Sequence, residues 1–169
     1  MLLLVAVTTA ALAWPAIGRR ASPAASWSTA RASPADPDWS TVVRALDRNR
    51  HAVLAAGNEA DLAAVYAPGS PAGQRDVESL RQFVADRARP RGLRLGVHSV
   101  QPVAFDRDRA MLRVVDFLPG YDLVNPAGQV VRRYQGRGPV AWHLTLVRTA
   151  AGWRIYDVTR ATAEGRGRR

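Results

Sequence analysis

From Trp39 onward the apolar positions recur at helical spacing. Trp39, Val42, Val43, Leu46, Val53 and Leu54 fall on one face at the 3.6-residue period, and Gly57 stops the run near Ala56. Asp38 or Ser40 can cap this first long helix. Arg50 sits in the middle of its apolar stripe, where it either extends its charged head to solvent or pairs with an inward carboxylate. Asn58 and Asp61, three residues apart, resemble a capping box that opens a short helix through Leu62, Val65 and Tyr66, ended by Pro68. Ser70 followed by Pro71 opens a third helix reaching about Arg89, with Val77, Leu80, Phe83 and Val84 inward and Pro90-Arg91-Gly92 at its end.

At Leu93 the period changes from 3.6 to 2. Leu93, Leu95 and Val97 alternate with Arg94, Gly96 and His98 in a strand running toward Phe105. Asp106-Arg107-Asp108 forms a turn, and Arg109 to Leu118 is a second long strand broken by Pro119-Gly120. Tyr121 to Val124 and Gln129 to Tyr134 flank the turn Asn125-Pro126-Ala127-Gly128 as a shorter hairpin. Val140 to Arg148 and Trp153 to Val158 form the last hairpin around Thr149-Ala150-Ala151-Gly152. Helices first and strands afterwards, with no crossover helix between strands, predict an α+β domain: three N-terminal helices packed on one side of a curved antiparallel sheet.

The flanks differ in kind. Residues 1–18 include MLLLVAVTTAALAWPAI, apolar on every side, and read as an export signal or a single membrane anchor. Ala11-Leu12-Ala13 offers a cleavage site, although Arg19 and Arg20 lie beyond the apolar run instead of before it, which implies either a start further upstream, the favoured expectation, or an inverted topology. Residues 19–37 are a flexible Ala/Ser/Pro linker, 38–159 the folded domain, and 160–169 a basic disordered tail. These flanks place the domain outside the cytoplasm, secreted or membrane-anchored. The net charge is +10, and all 24 basic residues are arginine, scattered through every segment. Such a field draws anionic ligands and surfaces, but an export segment argues against nucleic acid. The absence of cysteine excludes disulfides, thiolate metal sites and a cysteine nucleophile.

The order of elements, the short helix ending in Tyr66-Ala67-Pro68-Gly69-Ser70, and the meander closing on Gly152-Trp153-Arg154-Ile155 resemble the nuclear transport factor 2-like (SnoaL-like) superfamily over roughly Trp39 to Val158. The resemblance is to exported or membrane-anchored bacterial members of unestablished role. It implies a cone-shaped fold whose curved sheet, roofed by helices, encloses a pocket that serves isomerases, dehydratases, hydrolases and cyclases as well as non-catalytic binding domains. An isomerase-type site in this family would draw a tyrosine from the first helix, and that helix has none.

Candidate chemistry is sparse. Alternation sets Trp142, Leu144 and Leu146 on one face of their strand and His143, Thr145 and Val147 on the other, without saying which face lines the cone. His143 with Asp116 or Asp157 could form an acid–base pair for a small enzyme acting on a hydrophobic substrate. Arg50 with Asp116 or Asp157 could instead form a buried ion pair holding the first helix on the sheet. His51, His98 and His143 lie in different elements without metal-ligand spacing, and no phosphate loop or other cofactor signature is present, so no metal or cofactor is expected. The favoured expectation is a non-catalytic domain that binds a small hydrophobic or anionic ligand, or an envelope protein, in a pocket drawing on Arg50, Tyr66, Phe117, Tyr121, Trp142, Trp153 and Tyr156. A homodimer formed through the sheet face is a further possibility.

Overall fold

A computed structural model describes residues 37–161. The apolar segment 1–18, the linker up to residue 36 and the tail from residue 162 lie outside the described residues.

Helix α1 spans Trp39–Ala56. Asp38 caps it by accepting from the Thr41 backbone N–H, and Gly57 closes it in the left-handed region at φ 81°, as the sequence predicts. Residues Glu59–Ala64 form a 3₁₀ helix, and Asn58 caps it by accepting from the Ala60 N–H. Ser70 accepts from the Gly73 N–H, and Pro71 opens helix α2, Pro71–Ala85. α2 ends at Ala85 and does not continue toward Arg89. Arg87 turns left-handed at φ 48°, the Arg87 N–H donates to the Val84 carbonyl at 3.1 Å, and the Ala88 N–H donates to that of Phe83 at 2.9 Å. These two bonds are the closing pair of a Schellman motif, with arginine in the position glycine usually holds. The chain thereby turns out of the helix early enough for Arg89–Arg91 to extend as strand β1.

Strands β2 (Gly96–Phe105), β3 (Arg109–Leu118), β4 (Tyr121–Val124), β5 (Val130–Tyr134), β6 (Arg137–Thr149) and β7 (Gly152–Arg160) follow. The expected single sheet is two. β2-β3-β6-β7 form a four-stranded sheet, and the β4–β5 hairpin pairs with β1 in a three-stranded one. Pro119-Gly120 interrupts the long strands, so the hairpin leaves the main ladder and finds β1 as its neighbour, with Pro90 opposite Leu123. Because Arg89–Arg91 pair there and Gly92 turns at φ 79°, Leu93 and Leu95 lie in a loop and not in the strand that the alternation suggests. Every ladder is antiparallel. One parallel bridge, Tyr66 with Ile155, departs from expectation: the Ala67 N–H donates to the Ile155 carbonyl and the Ile155 N–H to that of Val65, both at 2.9 Å. The loop between the 3₁₀ helix and α2 is thereby fastened to the outer edge of β7.

The core lies between the helices and the four-stranded sheet. Leu80, Leu112, Leu146 and Val65 are its largest fully buried side chains. Trp39 packs edge-on against Phe105 and Trp153, at centroid distances of 5.6 and 5.1 Å, and seats the start of α1 on one end of the sheet.

A left-handed arginine carries a steric cost that glycine does not. Arg87→Gly should therefore raise the unfolding free energy by ~0.5–1 kcal/mol in urea titrations; a loss of stability would show that the arginine side chain contributes more than its backbone strain costs.

Candidate functional site

The periodicity of β6 leaves two faces open, and packing chooses between them. Register pairs Val114 with Trp142 and Leu112 with Leu144, and these residues face the helices. His143 pairs with Arg113 on the opposite face. Between the two helices and the sheet lies a cavity of about 430 Å³, within the ~300–1,000 Å³ usual for small-molecule sites. α1 roofs it with Val43, Leu46 and Leu54, α2 closes the side with Ala72 and Phe83, and Val114, Trp142, Leu144 and Ile155 form the sheet wall. The exposed Arg75 and Ser79 mark its rim.

Its polar groups fall into pairs. Arg50 reaches Asp76 through two bonds, Nε to Oδ2 at 2.6 Å and Nη2 to Oδ1 at 2.8 Å. The Tyr66 hydroxyl donates to Asp76 Oδ2 at 2.6 Å and accepts from Arg50 Nε at 3.0 Å. Burial opposes the arginine's charge, but the bonds to Asp76 and Tyr66 outweigh it and hold the guanidinium more firmly protonated than usual. Burial likewise raises the Tyr66 hydroxyl, so it stays a neutral donor. Toward the other end, Arg137 meets Asp116 at 2.6 Å, Trp142 Nε1 donates to Asp116 Oδ1 at 3.0 Å, and the Arg137 guanidinium lies 5.4 Å from the centre of the Trp142 ring. At the rim Arg75 donates to Asp157 at 3.1 Å.

Asp47 is the exception. It lines the cavity from α1, and its Oδ1 is buried without a hydrogen-bond partner. Burial is the main cause that raises its pKa to about 6, with Asp116 adding to the rise and Arg50 and the Leu95 backbone opposing it. His51, one helical turn on, approaches Asp47 Oδ1 to 3.3 Å without hydrogen-bond alignment, and burial lowers its pKa to about 4. The contact favours charging both groups and burial favours neutralising both; both shifts follow burial.

Several expectations need correction. Arg50 pairs with Asp76 and not with Asp116 or Asp157, each of which has its own arginine. The pairing of His143 with Asp116 is not assembled, since the two project from opposite faces of the sheet; Asp157 is held by Arg75. Of the aromatic candidates, Tyr66, Tyr121 and Trp142 line the cavity beside Arg50. Phe117 lies outside it, its ring over Gly96, where any Cβ would come within 2.0 Å of it. Trp153 belongs to the Trp39 cluster, and Tyr156 is an exposed residue whose backbone carbonyl accepts from Ser70 Oγ at 2.6 Å. Asp47, Asp76 and Arg137 escaped the sequence reading. Two of them carried a signal: Asp47 follows Val43 by four positions and precedes Arg50 by three, and Asp76 falls midway between Ala72 and Leu80, so each lies on an apolar helix face. Among the described residues no group of His, Asp or Glu is arranged to hold a metal, and no helix is long and apolar enough to cross a membrane.

No family model and no curated protein matches the sequence. Solved structures do. The intermembrane space region of chloroplast protein ARC6 superposes with a TM-score of 0.56 at 13% identity, over 74% of this chain and 95% of that one. Aln2 from a Streptomyces species gives 0.47 at 13% identity over 74% and 92%, and a nuclear transport factor 2-like superfamily protein from Salmonella enterica serovar Typhimurium gives 0.44 at 10% over 75% and 94%. The chain thus shares with the ARC6 region an α+β fold of helices packed on antiparallel sheets. At these identities the likeness is one of fold alone.

Removing one partner of a buried ion pair leaves the other uncompensated. Arg50→Met should lower unfolding free energy by ~3–5 kcal/mol, and adding Asp76→Leu should recover part of the loss in a double-mutant cycle; additivity of the two changes would refute the coupling.

The opposed shifts of Asp47 and His51 give a second expectation. Folded Asp47 keeps its proton up to about pH 6 against 3.8 for the ordinary group, so raising pH across that window weakens the fold. Folded His51 gives up its proton down to about 4 against 6.5, so the same rise strengthens the fold. Between pH 4 and 6 the two effects offset each other. In Asp47→Asn, stability should climb with pH by ~3 kcal/mol, and in His51→Gln it should fall by a similar amount. Urea titrations at four pH values decide this, and slopes of the same sign in the two variants would contradict it.

Proposed function

We propose that this chain is a ligand-binding domain that holds a small, largely apolar molecule in the cavity between α1, α2 and the four-stranded sheet. The observation that carries the reading is the cavity itself: its walls are mostly aliphatic and aromatic, most of its charged groups are paired with one another, and the side chains around it leave it unfilled. A non-catalytic role fits better than the enzymatic alternative of His143 with Asp116 or Asp157, because His143 and Asp116 stand on opposite faces of the sheet and Asp157 is engaged by Arg75. The apolar run of residues 1–18 supports placing the domain outside the cytoplasm, on an anchor or after export. The similar fold in an intermembrane space region of ARC6 accords with that placement.

A neutral naphthyl compound tests the reading. Naphthalene-1-methanol should bind saturably in calorimetric titration and perturb the NMR signals of Trp142 and Leu144, whereas Leu144→Trp, which fills the cavity, should abolish binding while thermal unfolding remains cooperative. Equal binding to the filled variant would overturn it.

A further inference from the structure

The charges around the cavity do not cancel, and the residue left over has a definite sign. Arg50 is matched by Asp76, Arg137 by Asp116 and Arg75 by Asp157, at 2.6, 2.6 and 3.1 Å. Among the described lining residues no arginine is left to meet an anionic ligand. Asp47 alone lacks a cation. Arg50 on the same helix is turned to Asp76, and His51 is a neighbour whose own burial favours the neutral ring. From the elements packed against α1, Asp47 meets the like charge of Asp116 on β3, the Leu95 backbone N–H before β2, and the Tyr121 hydroxyl on β4 elsewhere in the same cavity. Arg137 on β6 is engaged with Asp116, Tyr66 and Asp76 on the far side are engaged with Arg50, and Arg48 contributes only a more distant attraction.

A carboxylate that lines a cavity with no arginine matched to it is costly to ionise there, and a cationic ligand in the cavity offsets that cost. We propose that the cavity is built for a hydrophobic amine: an apolar body packed on Val114, Trp142 and Leu144, with a protonated amino group donating to Asp47. This rests on the cavity being a ligand site and adds the charge of the ligand's head group. It replaces the anionic ligand that the overall charge of +10 suggests. The protein's general field repels cations, but at physiological salt that field is screened beyond ~8 Å. Inside a low-dielectric cavity the nearest unmatched charge dominates.

The reading carries a proton balance. Below about pH 6 the empty cavity holds Asp47 in its protonated form; binding the ammonium ion expels that proton to the buffer, and the carboxylate left behind forms the ion pair. Amine affinity therefore falls on acidification although the amine itself stays protonated.

Three probes with one body separate the possibilities: naphthalene-1-methylamine, naphthalene-1-methanol and 1-naphthoate, titrated calorimetrically into the full chain. At pH 7.5 the amine should bind at least about tenfold more tightly than the alcohol, and the naphthoate more weakly than either. Between pH 7.5 and 5 amine affinity should drop about tenfold, since only about one Asp47 in eleven is ionised at the lower pH, while alcohol affinity holds steady. Near pH 6, titrations in buffers of different ionisation enthalpy should show about half a proton released per amine bound. Asp47→Asn should erase the preference for the amine and leave alcohol binding in place, whereas Asp47→Glu should keep it. An alcohol that binds as tightly as the amine, or a preference that survives Asp47→Asn, overturns the amine inference and leaves the cavity reading standing. Failure of all three probes to bind overturns both.

Discussion

The contact between Arg50 and Asp76 decides where the roof of this domain sits. An arginine in the apolar stripe of α1 cannot be buried alone, and a carboxylate on the apolar face of α2 cannot either. Each is tolerable because the other is 2.6 Å away and the Tyr66 hydroxyl closes the network. That geometry fixes the spacing of the two helices. Tyr66 is in turn bridged to Ile155 on β7, so the same network ties the roof to the edge of the sheet. Such a pair contributes little net stability compared with apolar replacements, but it is selective about arrangement. Two purely apolar helix faces could slide over the sheet and fill the space beneath them.

The cavity is the consequence of that spacing. The sheet curves away below the helices, with irregular register in β2, β3, β6 and β7, while α1 and α2 are held apart at the polar network. Leu93 and Leu95, displaced into the loop ahead of β2, contribute to the wall, and β1 draws the β4–β5 hairpin up so that Tyr121 reaches the same space. What sets the cavity's chemistry is arithmetic among its charges. Pairing satisfies three arginines and three carboxylates and strands a fourth carboxylate in a place where ionisation is costly. A surface aspartate with the same neighbours in sequence would carry no such information.

Local signals were legible where the cause is local. Asp38, Gly57, Asn58, Ser70 and Pro71 do in the structure what their chemistry implies within a few residues, and the turns at Asp106 and Thr149 lie where the strand pattern breaks. Failures came where a distant partner intervened. α2 stops short because Arg89–Arg91 gain a ladder with β4, and alternation alone runs the next strand back through Leu93. The Arg50 stripe showed that some carboxylate was needed. It could not show that Asp76 would be nearer than Asp116 or Asp157.

By itself the sequence determined the order of the helices and of the strands from β2 onward, the α+β class and the antiparallel ladders, because hydrophobic period, caps and turn residues act over a few positions and are written in the order of the chain. Which face of β6 looks inward, which acid meets which arginine, and which acid is left without one were decided only by tertiary packing. Those outcomes depend on distances between residues far apart in the chain and on how much water each group loses, and neither quantity is set by spacing along the sequence.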